Sequence, residues 1–108
     1  MDDQALRRLR RIAGVTAAFV VDRNSPSTDG ADTPEAAQSA LLGAIVAALA
    51  QATDDLDLGP LGETILEAER GTVVAGVLPD GRTAVVLAES RANLGMIRME
   101  LRKLRRQR

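Results

Sequence analysis

Residues 63–88 read ETILEAERGTVVAGVLPDGRTAVVLA, and this stretch decides the fold. The runs 63–70, 72–78 and 82–88 are rich in Val, Ile, Leu and Thr and short enough to be strands. Between the second and third, Pro79-Asp80-Gly81 is a turn with a mechanism. Pro presets φ, Asp bonds to the backbone that follows, and Gly accepts a left-handed conformation. Arg70-Gly71 is a weaker hairpin signal. The stretch therefore predicts three successive strands on tight turns. Glu63, Glu67 and Glu69 alternate onto the side of the first strand that also carries Ile65. A carboxylate cluster for metal or acid–base work would need further ligand types nearby, and none is present. An edge strand guarded by charge accounts for these residues better.

Upstream, Thr33-Pro34-Glu35 is a helix-start signal. Thr33 can cap free amides, Pro34 suits the first turn, and Glu35 favours the positive end of the helix. The pattern predicts a helix to about Ala52. At 100° per residue, Leu41, Leu42, Ile45, Val46 and Leu49 share one arc, while Ala36, Ala40, Gly43, Ala44 and Ala47 fall opposite. A helix apolar nearly all round needs cover on both sides, and a chain of 108 residues has one core to offer. The large residues are expected on the sheet and the small ones, Ala36, Ala40, Gly43, Ala44 and Ala47, on a dimer seam where two helix backbones approach closely. The competing explanation is an Ala-rich helix packed on its own sheet.

Further upstream, Leu6, Leu9 and Ile12 recur at helical spacing among arginines over residues 3–12, and Val15–Asp22 reads as a buried strand. Residues 23–34 carry Pro26, Gly30 and Pro34 with Ala31 as their only apolar side chain, and read as a polar loop or a weak edge strand. Downstream of the strands, Ser90 is the expected cap of a helix carrying Leu94, Ile97, Leu101 and Leu104. The order is α, β, a weak β, α, three β, α, in one domain over residues 1–108.

Composition narrows the chemistry. With 45% hydrophobic and 27% charged residues the chain is of the ordinary globular kind. Phe19 is its only aromatic, so the core is filled by Ala, Val, Leu and Ile, and a second subunit would help it. Cysteine and histidine are both absent, which removes disulfides, thiolate nucleophiles, Cys/His zinc sites and imidazole acid–base catalysis. No catalytic, metal or cofactor residues can be assigned. The acidic start Met1-Asp2-Asp3-Gln4 lacks the basic and apolar regions of a secretory signal, so a cytoplasmic address is expected. The apolar run from Ala40 to Ala50 is too short for the roughly 20 residues of a bilayer span.

Three segments together resemble the Roadblock family, the small domain of dynein light chains and of bacterial and eukaryotic regulators of Ras-like GTPases. LRRLRRIAGVTAAFVVDRN is similar to the family's first helix and first strand. LEAERGTVVAGVLPDGRTAVVLAE is similar to its strand trio, and ANLGMIRMELRKL to its closing helix. The departure is residues 23–34, where the family has an apolar second strand. The resemblance implies an α+β fold with a four- or five-stranded antiparallel sheet, the central helix on one face and the two terminal helices on the other. It also implies a homodimer built through the central helices and third strands. Its function would be that of a non-catalytic adaptor or regulator of a small Ras-like GTPase, with no cofactor. Acceleration of hydrolysis, promotion of exchange and simple docking all remain open, since fold does not decide among them. On such a central-helix platform, Glu35, Ser39, Ala50 and Thr53 lie near the exposed upper edge and are the expected partner contacts.

Charge is unevenly spread. Residues 1–12 and 91–108 carry 11 Lys/Arg against three Asp/Glu, and residues 13–90 carry three against 12. Two solvated helix faces, with cations near a helix C-terminus, are the simpler explanation. The alternative function is binding of nucleic acid or an anionic membrane surface by the basic terminal helices. The lack of aromatics to stack on bases speaks against nucleic acid.

Overall fold

The computed structural model describes residues 3–21 and 34–106, with side chains over 4–21 and 40–106. Its elements are α1 (Asp3–Arg11), β1 (Val15–Val21), α2 (Pro34–Asp55), β2 (Glu63–Ala68), β3 (Gly71–Val77), β4 (Thr83–Ala88) and α3 (Leu94–Arg106). The expected loop or weak strand over 23–34 lies outside the described residues, apart from Pro34, which opens α2.

The three strands of the deciding stretch form an antiparallel meander, and β1 adds to it across β4. The described sheet is thus four-stranded, in the order β1-β4-β3-β2. The turn between β3 and β4 works as its residues demand. The Asp80 carboxylate accepts from the Arg82 amide at 3.0 Å, and Gly81 has φ 89°. Asp80 also accepts from Arg82 Nε at 2.7 Å, a bond that, with the backbone bond, holds its carboxyl below the ordinary value of 3.8.

Strand alternation divides the core in two. On one face, Ala18, Val74, Ala84, Val86 and Ala88 pack against Leu6, Leu9 and Ile12 of α1 and Ile97, Leu101 and Leu104 of α3. On the other, Val21, Ala75 and Val85 pack against Val46 of α2, with Phe19, Leu42 and Val73 partly buried around them. The terminal helices therefore share one face and the central helix takes the other, as the sequence led us to expect.

Two boundaries differ from expectation. The α3 cap is Asn93, whose Oδ1 accepts from the Met96 amide at 3.1 Å. The expected cap, Ser90, instead lies by the hairpin turn, its hydroxyl donating to Glu69 O at 3.4 Å. Helix α2 runs past Ala52 to Asp55 and ends on two hydrogen bonds, Leu58 N to Thr53 O at 2.8 Å and Asp57 N to Asp54 O at 3.1 Å. Asp57 supplies the left-handed residue this ending requires, with φ 60°. Glycine usually takes that place, and a short polar side chain is the next best tolerated.

Candidate docking surface on the central helix

Pro34 and Glu35 start α2, and Ala and Leu sustain it with good helix propensity. Its contact with the sheet is set by Gly43. A Cβ at Gly43 would lie 2.8 Å from Val21 Cγ1, so the helix backbone comes down onto β1 where a side chain is missing. One turn on, Val46 is 3% exposed. The face that meets the sheet is thus Gly43 and Val46, with Ala50 and Thr53 half-buried further along.

This corrects the expected division into a large inner and a small outer arc. Leu41, assigned to the sheet, is 63% exposed, while Gly43, assigned to the dimer seam, lies against β1. The physical reason is the floor. Val21 and Phe19 already fill the space under the helix, so a small residue there allows closer approach than a large one. Leu42, Ile45 and Leu49 lie half-buried on the flanks.

The outward stripe is Leu41, Ala44, Ala48 and Ala52. Of the other expected seam residues, Ala40 and Ala47 are half-buried at its margins, and Ala36 has its side chain outside the described residues. Of the expected partner contacts, Ala50 and Thr53 are half-buried, with Thr53 Oγ1 donating to Ala50 O at 3.0 Å. Glu35 and Ser39 are helical positions whose side chains lie outside the described residues. Sequence reasoning missed Leu41 and Ala48. A signal was available, because Gln51 and Asp55, joined by a 2.9 Å hydrogen bond, continue the same stripe and mark it as the solvent side.

At the edge of the described sheet away from β1, β2 leaves Leu66 40% and Ile65 37% exposed. Its charged residues do not act alike. Glu67 and Glu69 are exposed, whereas Glu63 accepts from Arg98 Nε and has Arg102 and Arg105 within 3.8 and 3.9 Å. On the terminal-helix face several arginines are likewise engaged inside the fold. Arg10 donates twice to Ala18 O, at 3.1 and 2.8 Å, and Arg105 donates to Val77 O at 3.2 Å.

A three-layer arrangement of this order, with a helix pair on one side of an antiparallel meander and a long helix on the other, is the fold of Roadblock/LC7 domain and MglB proteins. The chain superposes on MglB of Myxococcus xanthus with a TM-score of 0.78 at 17% identity, over 94% of this chain and 86% of that one. A Roadblock/LC7 domain from Streptomyces avermitilis gives 0.78 at 17% identity, over 95% and 90%. The gliding protein MglB of Thermus thermophilus gives 0.78 at 16%, over 96% and 82%. No protein-family model and no curated protein sequence matches the chain, so the likeness is one of fold. Among the described residues no helix is long and apolar enough to cross a membrane.

Proposed function

We propose that this chain is a single-domain, homodimeric, non-catalytic adaptor or regulator of a small Ras-like GTPase, working through α2 in the cytoplasm. The observation that carries the reading is the uncovered apolar stripe Leu41, Ala44 and Ala48 on a helix that rests on the sheet by Gly43 and Val46. An apolar stripe of this kind on a globular fold marks an interaction surface. The fold shared with MglB and Roadblock/LC7 domains supports a GTPase as the partner class. In the dimer, Leu41, Ala44 and Ala48 meet the second copy, with Ala36, Ala40 and Ala47 at the rim. Glu35, Ser39, Ala50 and Thr53 form the partner's platform. Helix α2 carries neither histidine nor arginine, so an effect on GTP hydrolysis through this platform comes from positioning the GTPase's own switch residues, without a supplied catalytic group.

The test is a pair of measurements. Light scattering of the unmodified chain should give a dimer and Ala44→Arg a folded monomer. Titration against purified small Ras-like GTPases, loaded with GDP or a GTP analogue, should show binding that Glu35→Arg and Ser39→Arg weaken. A monomeric wild type, or binding that survives both substitutions but is lost on replacing Arg102 and Lys103, overturns the platform.

A further inference from the structure

Helix α2 ends in a feature the platform does not use. Asp54-Asp55-Leu56-Asp57-Leu58 follows its last turn, with Leu56 67% and Leu58 71% exposed. The two hydrogen bonds that close the helix fix this segment in place. In such an ending the residue at Leu58's position commonly packs back on the helix, yet here its side chain stands out in solvent. Three carboxylates sit at the negative end of a 22-residue helix that has no basic residue in its last turn. That placement is electrostatically unfavourable and would be relieved by an approaching cation.

The opposite face of the sheet offers the complement. Helices α1 and α3 run side by side, tied by Arg8 to Glu100 at 3.2 Å. Between them lies a shallow cleft of ≈ 330 Å³ lined by Arg8, Arg11, Ile12, Ala13, Met96 and Glu100. A second concavity shares Arg8 and Arg11 and adds Arg7. The floor of the cleft is apolar and its rim cationic. Glu100, the acidic member, already faces Arg8 and Lys103. Met96 in the cleft is 45% exposed, and methionine adapts its shape to apolar guests.

We propose that the acidic leucine knob at residues 54–58 of one copy docks into the basic α1/α3 cleft of another. The leucines fill the floor over Ile12, Ala13 and Met96, and the carboxylates meet Arg7, Arg8 and Arg11. Because α2 and the helix pair lie on opposite faces of the sheet, the knob meets the cleft of a different molecule. The contact joins two different surfaces, so it propagates into open chains or closes into rings. It requires neither a GTPase nor paired central helices.

The test exploits charge exchange. Asp54→Lys with Asp55→Lys gives one variant, and Arg7→Glu with Arg11→Glu gives the other. All four positions are exposed, so circular dichroism should show both variants folded. By sedimentation, the wild type's mean mass at about 0.1 M salt should rise past that of the α2-paired dimer from low to high protein concentration. That growth should vanish at about 1 M, where the screening length falls from about 10 to about 3 Å. Each variant alone should stop at the mass of the α2-paired dimer, and an equimolar mixture of the two should grow beyond it. Salt-insensitive mass for the wild type, or a mixture that stays as small as its components, overturns the proposal. It is equally overturned if a non-assembling wild type binds duplex DNA or phosphatidylserine vesicles through Arg7 and Arg11, since the cleft then has another occupant.

Discussion

On one side of the sheet α1 and α3 bury Leu9, Ile97 and Leu101 completely, and on the other a helix of 22 residues has, among its described side chains, Val46 as the one large residue buried to a similar degree. The thin side also holds Thr83, which is fully buried and whose hydroxyl has no hydrogen-bond partner among the described residues. The difference teaches where the fold is self-sufficient. The terminal-helix side closes with leucines and isoleucines from both helices, whereas the central-helix side is closed mainly by β-branched residues of the sheet and leaves the helix's outer stripe exposed.

The sharpest way to break this contrast is to cut one leucine on each side. Leu101→Ala should cost about 2–5 kcal/mol, because it opens a cavity in a sealed core, and it should cost the same at every protein concentration. Leu41→Ala should cost little in dilute protein and more in concentrated protein, as expected when the residue is covered by association. Urea midpoints across a dilution series separate the two, and an equal, concentration-independent loss at both sites would dissolve the distinction.

A smaller effect is expected at Gly43. Gly43→Ala gains about 1 kcal/mol of helix propensity but forces a Cβ to within 2.8 Å of Val21 Cγ1, an overpacking that costs about 1–3 kcal/mol. The net result should be mild destabilisation. Val21→Ala in the same chain should remove the clash, so the double-mutant cycle should show favourable coupling. Independent effects would mean that the helix rests elsewhere.

The smallest effect belongs to the β3–β4 turn, on neither face. The Asp80 carboxyl is lowered in the folded chain by its bonds from Arg82. A folded value below the unfolded one adds stability that is complete above the unfolded value and fades as pH falls through the folded one. Wild type should therefore exceed Asp80→Asn slightly near neutral pH, with the gap closing below about 3.9. The Asp80 side chain is half exposed, and solvent screening keeps the effect small.

Strand and helix order was legible because it rests on local chemistry. Val-rich runs, the Pro-Asp-Gly turn and the leucine spacing of α1 and α3 need no tertiary context. What was not legible depended on a neighbour. Ser90 and Asn93 are both good caps, and the choice fell to Asn93 because Ser90 sits next to the β2–β3 hairpin. The inward face of α2 could not be ranked by residue size, since it depended on how much space Val21 leaves. Glu63 looked like its neighbours Glu67 and Glu69 until α3 brought three arginines to it.

The strand order β1-β4-β3-β2 also sets a timetable. Strands β2, β3 and β4 are joined by tight turns and can zip together locally, whereas β1 must find β4 across most of the chain, with Val15 meeting Ala88. Loop closure of that length is slow relative to hairpin formation. On the ribosome β1 is made first and paired last, and the sealed side of the core cannot form until it docks. The side of the core sealed by leucines and isoleucines is the side that must wait until β4 has been made.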